Sequence, residues 1–271
     1  MKKSIVCEKI RRGEPIMVAK LNFFNADLAE LIGYTGYDCL WICNEHEMID
    51  RSLLANILRG SKITGMDMMV RLSAAADYTD LIQPLEAGAQ GIMIPHVHKV
   101  EQLKWIAKET KFYPRGMRSM DCVNQDADQG FADTLDYIKF ANDNTFVVAQ
   151  IEDEDALQKA DEFASVDGID VIFLGPADYS ESIGLPGQPR HPKVVDAVRR
   201  CADACARHGK CFGTVGFGDI DFCRQLIDWG TRFITGPSDW SIVKKGFAAE
   251  AKKYEDSGLF SFRHYPNHLD Y

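Results

Sequence analysis

Four apolar runs in this chain each end on side chains that can do chemistry. DCLWIC is followed by Asn44, Glu45 and His46, and MMVRL carries Arg71 near its end. FVVAQI contains Gln150 and is followed by Glu152, while VIFLG breaks at Gly175 and Pro176 and delivers Asp178 two residues later. Two carboxylates are hard oxygen donors that suit Mg²⁺, Mn²⁺ or Co²⁺, with water and substrate oxygens completing the shell. An arginine beside them is a partner for an oxyanion, and a histidine is a proton carrier at neutral pH. Taken singly, each has an ordinary structural use. Glu152 and Asp178 suit the first turns of helices, as the acidic EDEDALQKA shows. Arg71 suits an ion pair, and His46 suits a satisfied structural position.

The elements that must position these residues decide between the two. The runs IMVAKL, DCLWIC, MMVRL, GIMIP, FVVAQI, VIFLG, KCFGTV and RFITG read as eight buried strands. Between them lie stretches with helical spacing, among them ADLAELIGYTG, VEQLKWIAKE and VVDAVRRCADACARHG. Eight strand-helix units in 271 residues predict one α/β domain over 1–271, a (β/α)8 TIM barrel. No GxGxxG turn marks a doubly wound dinucleotide fold. In a barrel, side chains just past the strands share one rim, so all of these residues converge there. Two segments fall outside the alternation. Residues 113–145 are too long and polar for a tight connection and are expected to form a loop at the mouth. The aromatic tail 258–271 is expected to pack on a neighbouring subunit.

Composition narrows the partners. The chain is 46% hydrophobic and 26% charged with a formal net charge of −9, and it has no basic stripe to neutralise phosphates. Nucleic acid and anionic membrane are excluded as main partners, and a small molecule is favoured. No apolar run is long enough for a membrane span and the first residues lack a signal-peptide core, so a cytoplasmic protein is expected. The eight cysteines then read as reduced thiols, and Cys201, Cys205 and Cys211 as inert core residues rather than a zinc site.

The stretches DCLWICNEHEMID, MMVRL, QPLEAGAQGIMIPHV, YPRGMRS, VVAQIED and VIFLGPADYSESIGLPGQPRHPKV occur in this order over most of residues 37–195. Together they resemble the class II, metal-dependent pyruvate aldolases of the HpcH/HpaI family, which act on 4-hydroxy-2-oxoheptanedioate and 2-keto-3-deoxy-sugar acids. The resemblance implies a barrel of the phosphoenolpyruvate/pyruvate type. It also implies a divalent cation, Mg²⁺, Mn²⁺ or Co²⁺, with Glu152 and Asp178 as its ligands. Gln150 becomes a supporting or substrate contact. The turn Gly175, Pro176, Ala177 to Asp178 becomes the seat of the pyruvate carboxylate, Arg71 the partner of the pyruvyl oxygen, and His46 the acid-base residue. The implied reaction cleaves a 4-hydroxy-2-oxo acid to pyruvate and an aldehyde through a metal-stabilised enolate. The implied assembly is a homohexamer, built as a trimer of dimers.

One departure stands out. Where the family commonly reads Asp-Gly-Glu-His, this chain reads Cys43, Asn44, Glu45, His46. The carboxylate that orients the histidine is missing, and Glu45, Asp50 or Glu86 are candidates to replace it; in the family an acid at the Glu86 position reaches a neighbouring subunit's site. Oxaloacetate decarboxylation, acyl-CoA cleavage and a non-catalytic keto-acid-binding barrel stay open as alternatives. Arg115 and Arg118 suit an anionic or hydroxylated aldehyde partner as well as a structural role. His96 and His98 follow the fourth strand and are not expected to take part. Thr214 and Asp239 are expected to support the site from strands seven and eight.

Overall fold

The computed structural model describes residues 1–263. Eight parallel strands close into a barrel in which each pairs with the next and the last with the first. They are β1 (Ile16–Leu21), β2 (Cys39–Cys43), β3 (Asp67–Arg71), β4 (Gly91–Ile94), β5 (Phe146–Ile151), β6 (Val171–Leu174), β7 (Cys211–Val215) and β8 (Thr231–Ser238). All eight coincide with the apolar runs, and only β8 runs appreciably longer, to Ser238. The helices are α1 (Ile5–Arg12), α2 (Ala26–Tyr34), α3 (Arg51–Thr64), α4 (Tyr78–Glu86), α5 (Val100–Thr110), α6 (Thr134–Asn144), α7 (Glu154–Gln158), α8 (Ala160–Ala164), α9 (Pro176–Ser182), α10 (Pro192–His208), α11 (Ile220–Asp228) and α12 (Asp239–Asp256).

Side chains alternate across a strand, and here the alternation separates two cores. Trp41, Met69, Val148, Phe173 and Phe233 belong to the cluster that fills the barrel. Their neighbours Leu40, Ile42, Val70, Val147, Ile172 and Leu174 belong to the cluster between sheet and helices. Large inner rings are accommodated by small residues on the next strand: a Cβ on Gly91 would lie 2.2 Å from the Phe146 ring. Continuing the inner column by two residues beyond Trp41, Met69 and Val148 gives Cys43, Arg71 and Gln150, with Glu152 two further on. The period of the strand thus stacks the polar layer directly above the packed one.

The opposite, amino-terminal end is closed by α1, a helix that the reading of the sequence did not anticipate. Val6 and Cys7 pack into the inner cluster. Asp67, at the start of β3 and fully buried, accepts from Lys2 Nζ at 2.7 Å, Ser4 Oγ at 2.6 Å and the Val6 N–H at 2.9 Å.

Residues 113–145 do not form a loop over the mouth. The segment connects a helix to the following strand, and such connections lie at the amino-terminal ends of barrel strands. Its return is tied there, with Lys111 Nζ donating to the carbonyls of Asn142 and Thr145. Its middle packs along the outer helices: Lys62 of α3 donates to the Gln125 carbonyl, Ser119 N–H to Tyr78 Oη, and Asp126 N–H to the Glu86 carbonyl. Of the tail expected to pack on a neighbour, Phe260 stacks edge-on against Tyr254, while Tyr265 and Tyr271 lie outside the described residues. Among the described residues, no helix is long and apolar enough to cross a membrane.

Candidate active site

Glu152 follows β5 and is only 3% exposed. Its Oε1 accepts from Gln150 Nε2 at 2.6 Å and its Oε2 from the His96 N–H at 2.9 Å. Asp178, in the first turn of α9, lies against it. Burial pushes the Glu152 carboxyl up to about 8, and the neighbouring Asp178 carboxylate acts in the same direction, against the His96 N–H and Arg71. Gly175 is the small residue this arrangement needs. A Cβ there would stand 2.7 Å from Gln150 Nε2 and 3.0 Å from the Glu152 side chain. Thr214 of β7 donates to the Leu174 carbonyl at 3.0 Å and fixes the strand end beneath that turn.

Arg71 crosses the mouth from β3 and is 4% exposed. Its guanidinium lies 4.9 Å from the Trp41 ring, contacts Gln150 Oε1 at 3.5 Å, and donates to Cys43 Sγ at 3.1 Å. Arg71 Nε stands 3.1 Å from Glu45 Oε2. Glu45 in turn meets two histidines, His46 Nε2 at 3.7 Å and His96 Nε2 at 3.3 Å, and His96 Nδ1 is 3.3 Å from Glu152 Oε2. Glu152, Gln150, Arg71, Glu45 and His96 therefore close a ring of polar contacts drawn from four strands or strand ends.

The donors suit a divalent cation. Burial first, and the Asp178 carboxylate second, make the charged form of Glu152 costly, and a cation or a proton between the two carboxyls relieves that cost. Among the described residues, no group of three or more His, Cys, Asp or Glu side chains is arranged around a metal position. Glu152 and Asp178 are the pair of oxygen donors that could hold such an ion.

Other expectations sort by geometry. In the anion turn the Gly175 N–H is already bonded to the Ile151 carbonyl and Pro176 has none. The free donors are the N–H groups of Ala177 and Asp178, which as first-turn groups have no acceptor inside the helix. Asp50 caps α3 by accepting from Ser52 and Leu53 and is committed there. Asp239 accepts from the N–H groups of Asn22 and Phe23 and ties α12 to the end of β1. Glu86 and Arg118 are not brought to this rim. They face the 113–145 segment, where Arg118 packs 4.6 Å from the Phe112 ring and burial raises the Glu86 carboxyl, with Arg118 opposing. His98 pairs with Asp153 on the outer side. His96, passed over in the sequence, is a full member of the ring; its position just past β4 was the available signal.

A cavity of about 570 Å³ lies at the other end of the barrel, lined by Cys7, Lys111, Arg115, Asp143 and Asp170. Its charges are already matched in part, Arg115 pairing with Asp143 at 2.7 Å. The close carboxyl pair Glu152 and Asp178 and the first-turn N–H groups of α9 are at the opposite rim.

Over residues 20–244 the sequence matches the family described as HpcH/HpaI aldolase/citrate lyase. The chain belongs to this family. A hydroxypyruvate/pyruvate aldolase of Delftia acidovorans is 30% identical over 90% of this chain and 90% of its own length. A 2-dehydro-3,6-dideoxy-6-sulfogluconate aldolase of Pseudomonas putida is 32% identical over 81% of this chain and 84% of its own. The crystal structure of an HpcH/HpaI aldolase/citrate lyase family protein from Burkholderia cenocepacia superposes with a TM-score of 0.85 at 27% identity, covering 93% of this chain and all of that one. The (β/α)8 barrel of this HpcH/HpaI member is thus the barrel of the family.

Proposed function

We propose that the protein is a carbon-carbon lyase, a metal-dependent aldolase that cleaves a 4-hydroxy-2-oxo acid to pyruvate and an aldehyde. The observation that carries this reading is the buried Glu152 carboxyl with Asp178 against it, facing Arg71 across the mouth. The relatives named as aldolases support the same reaction class. Glu152 and Asp178 would hold the divalent cation, Mg²⁺, Mn²⁺ or Co²⁺. When bound, that cation supplies Lewis-acid polarisation of the keto acid's oxygens.

The chain's own residues do the rest. The N–H groups of Ala177 and Asp178 receive the substrate carboxylate. Arg71 Nε, which has no hydrogen-bond acceptor among the described residues, donates to the 2-oxo oxygen as it gains charge. His46 takes the proton from the C4 hydroxyl with Glu45 at 3.7 Å as its carboxylate partner. The C3–C4 bond breaks, its electron pair becomes the enolate, and the aldehyde leaves. Protonation at C3 then yields pyruvate.

A second reading keeps the enolate and changes the bond that breaks. Cys43 is fully buried and bonded to Arg71, in the position where an orienting aspartate was expected, so His46 lacks that support. Decarboxylation of oxaloacetate needs enolate stabilisation but no base at a C4 hydroxyl.

The assembly reading rests on α12. Of its residues only Asp239 is buried, while Trp240, Phe247 and Tyr254, spaced by seven residues and so on one face, are at least half exposed. We assign this apolar face to a second copy of the chain, within the homohexamer implied by the family resemblance. Glu86, at the position where the family's acid reaches a neighbouring subunit, would then serve a neighbour's mouth. Light scattering of the intact chain and of a truncation before Gly258 tests the assembly.

The reaction itself is tested with pyruvate in D₂O. Exchange of the methyl protons that requires Mn²⁺ or Mg²⁺, and that stops on chelation, supports an enolate-forming enzyme. No exchange with any of the three cations would remove the proposal.

A further inference from the structure

His96 has backbone φ +48°, in the left-handed region that a residue with a Cβ visits only when its surroundings hold it there. Pro95 precedes it, and the next residue, Val97, donates its N–H to the Gln150 carbonyl at 3.3 Å, so the turn is pinned to β5 on its far side. The result of that conformation is a double engagement. The His96 N–H donates to Glu152 Oε2 at 2.9 Å, and the ring's Nδ1 stands 3.3 Å from the same oxygen. The ring's other nitrogen reaches Glu45 Oε1 at 3.3 Å. One residue thus holds the buried carboxylate of β5 and the rim carboxylate of β2, which among the described residues are otherwise joined the long way round, through Arg71 and Gln150.

We propose that His96 is a positioning residue that fixes the Glu152 carboxylate for the divalent cation and locks Glu45 to it. The proposal rests on the reading that Glu152 holds a cation. A ligating carboxylate whose second contact is fixed does not have to be ordered when the ion arrives, and removing such an outer partner typically weakens metal binding about 10–100-fold. Glu45 should matter to metal affinity only through the ring of His96.

The test is Mn²⁺ binding to the protein without substrate, followed by the resonance of free Mn²⁺. His96→Gly removes the imidazole while keeping the N–H and relieving the left-handed backbone, so it isolates the ring. The expected result is binding about 10–100-fold weaker at unchanged melting temperature, with partial rescue in His96→Asn, whose amide can donate and which tolerates the same backbone. Glu45→Gln should also weaken binding, and the His96→Gly/Glu45→Gln pair should be no worse than His96→Gly alone. Wild-type affinity in His96→Gly overturns the proposal, as does a double variant in which the two losses multiply. If Glu152→Gln binds Mn²⁺ as tightly as the wild type, the metal reading itself has failed and the positioning role falls with it. That outcome is separate from an intact Glu152 dependence with an indifferent His96.

Discussion

Arg71 Nε and Glu45 Oε2 approach to 3.1 Å, yet neither atom makes a hydrogen bond with any described residue. The contact has the proximity of an ion pair without its alignment. A buried N–H left in this state costs stability in the free protein and gains an acceptor when a substrate oxygen arrives. Arg71→Ala should therefore reduce both methyl exchange of pyruvate and aldol cleavage, each by about 10²–10³-fold, the range for removing one oxyanion donor. Arg71→Lys should not restore them, since a lysine cannot offer Nε and the fork to Cys43 and Gln150 together. Equal rates in wild type and Arg71→Ala would show that the charge is held elsewhere.

His46 separates the two reactions left open by Cys43. Its ring is well exposed and, among the described residues, the carboxylate it meets is Glu45 at 3.7 Å. His46→Ala should lose about 10²–10⁴-fold in cleavage of a hydroxy-keto acid, the usual worth of a general base, while oxaloacetate decarboxylation is largely kept. Cys43→Asp should raise cleavage if a carboxylate beneath the ring is the missing part. Cleavage that is indifferent to His46→Ala would make this histidine structural.

The elevated Glu152 carboxyl predicts how stability and metal binding depend on pH. Its ordinary value is near 4.5 and in the metal-free fold it rises to about 8. Between these values the folded state holds a proton that the unfolded chain has released. The stabilisation is complete below the lower value and is lost as pH rises toward the upper one. The urea midpoint of metal-free protein should accordingly fall between pH 5 and pH 8. Binding of Mg²⁺ at pH 7 must displace that proton, so calorimetry in buffers of different ionisation enthalpy should show about one proton released, and almost none at pH 9. A flat midpoint together with no release at pH 7 would mean that Glu152 is already charged.

The barrel was legible because its signal is periodic: each strand is a short apolar run, and the runs survive as β1 to β8 with nearly the same ends. The polar residues of the rim were legible for a related reason, since Arg71 ends β3, Glu152 and Glu45 follow β5 and β2 by one and two residues, and Asp178 lies in the first turn of the helix after β6. What the pattern does not carry is conformation. His96 joins the ring through a left-handed backbone and a contact made by both its N–H and its side chain, and neither is encoded by spacing. The placement of 113–145 needed only topology, because a helix-to-strand connection belongs at the amino-terminal end. Polarity suggested the mouth instead. In α1 four apolar positions in a short basic stretch gave too weak a period to mark a helix that plugs the barrel.

That plug has a measurable anchor. Asp67 is fully buried and holds Lys2, Ser4 and the Val6 N–H. Asp67→Ala leaves the Lys2 charge with only the Gly65 and Met66 carbonyls and takes the acceptor from Ser4 Oγ and the Val6 N–H, and should cost about 3–5 kcal/mol, as removal of one partner of a buried pair does. Denaturant unfolding measures the loss. The rim is at the other end of the barrel, so exchange per folded molecule should stay near the wild-type value.

Gly175 provides the sharpest steric test of the site. The residue is not there for a left-handed turn: its φ is −84°, open to any side chain. It is there because the inner wall has no room, with Gln150 Nε2 and the Glu152 side chain 2.7 Å and 3.0 Å from where a Cβ would be. One methyl group must push either the amide off Glu152 Oε1 or the carboxylate off its place beside Asp178. Gly175→Ala should fold with a loss of about 1–3 kcal/mol from overpacking, while pyruvate exchange falls by about 10²-fold because the carboxylate is displaced by a fraction of an ångström to an ångström. Mn²⁺ affinity should fall with it. Were exchange and affinity both untouched in a stable Gly175→Ala protein, Glu152 would be free to move without consequence, and its assignment as a ligand would have to be given up.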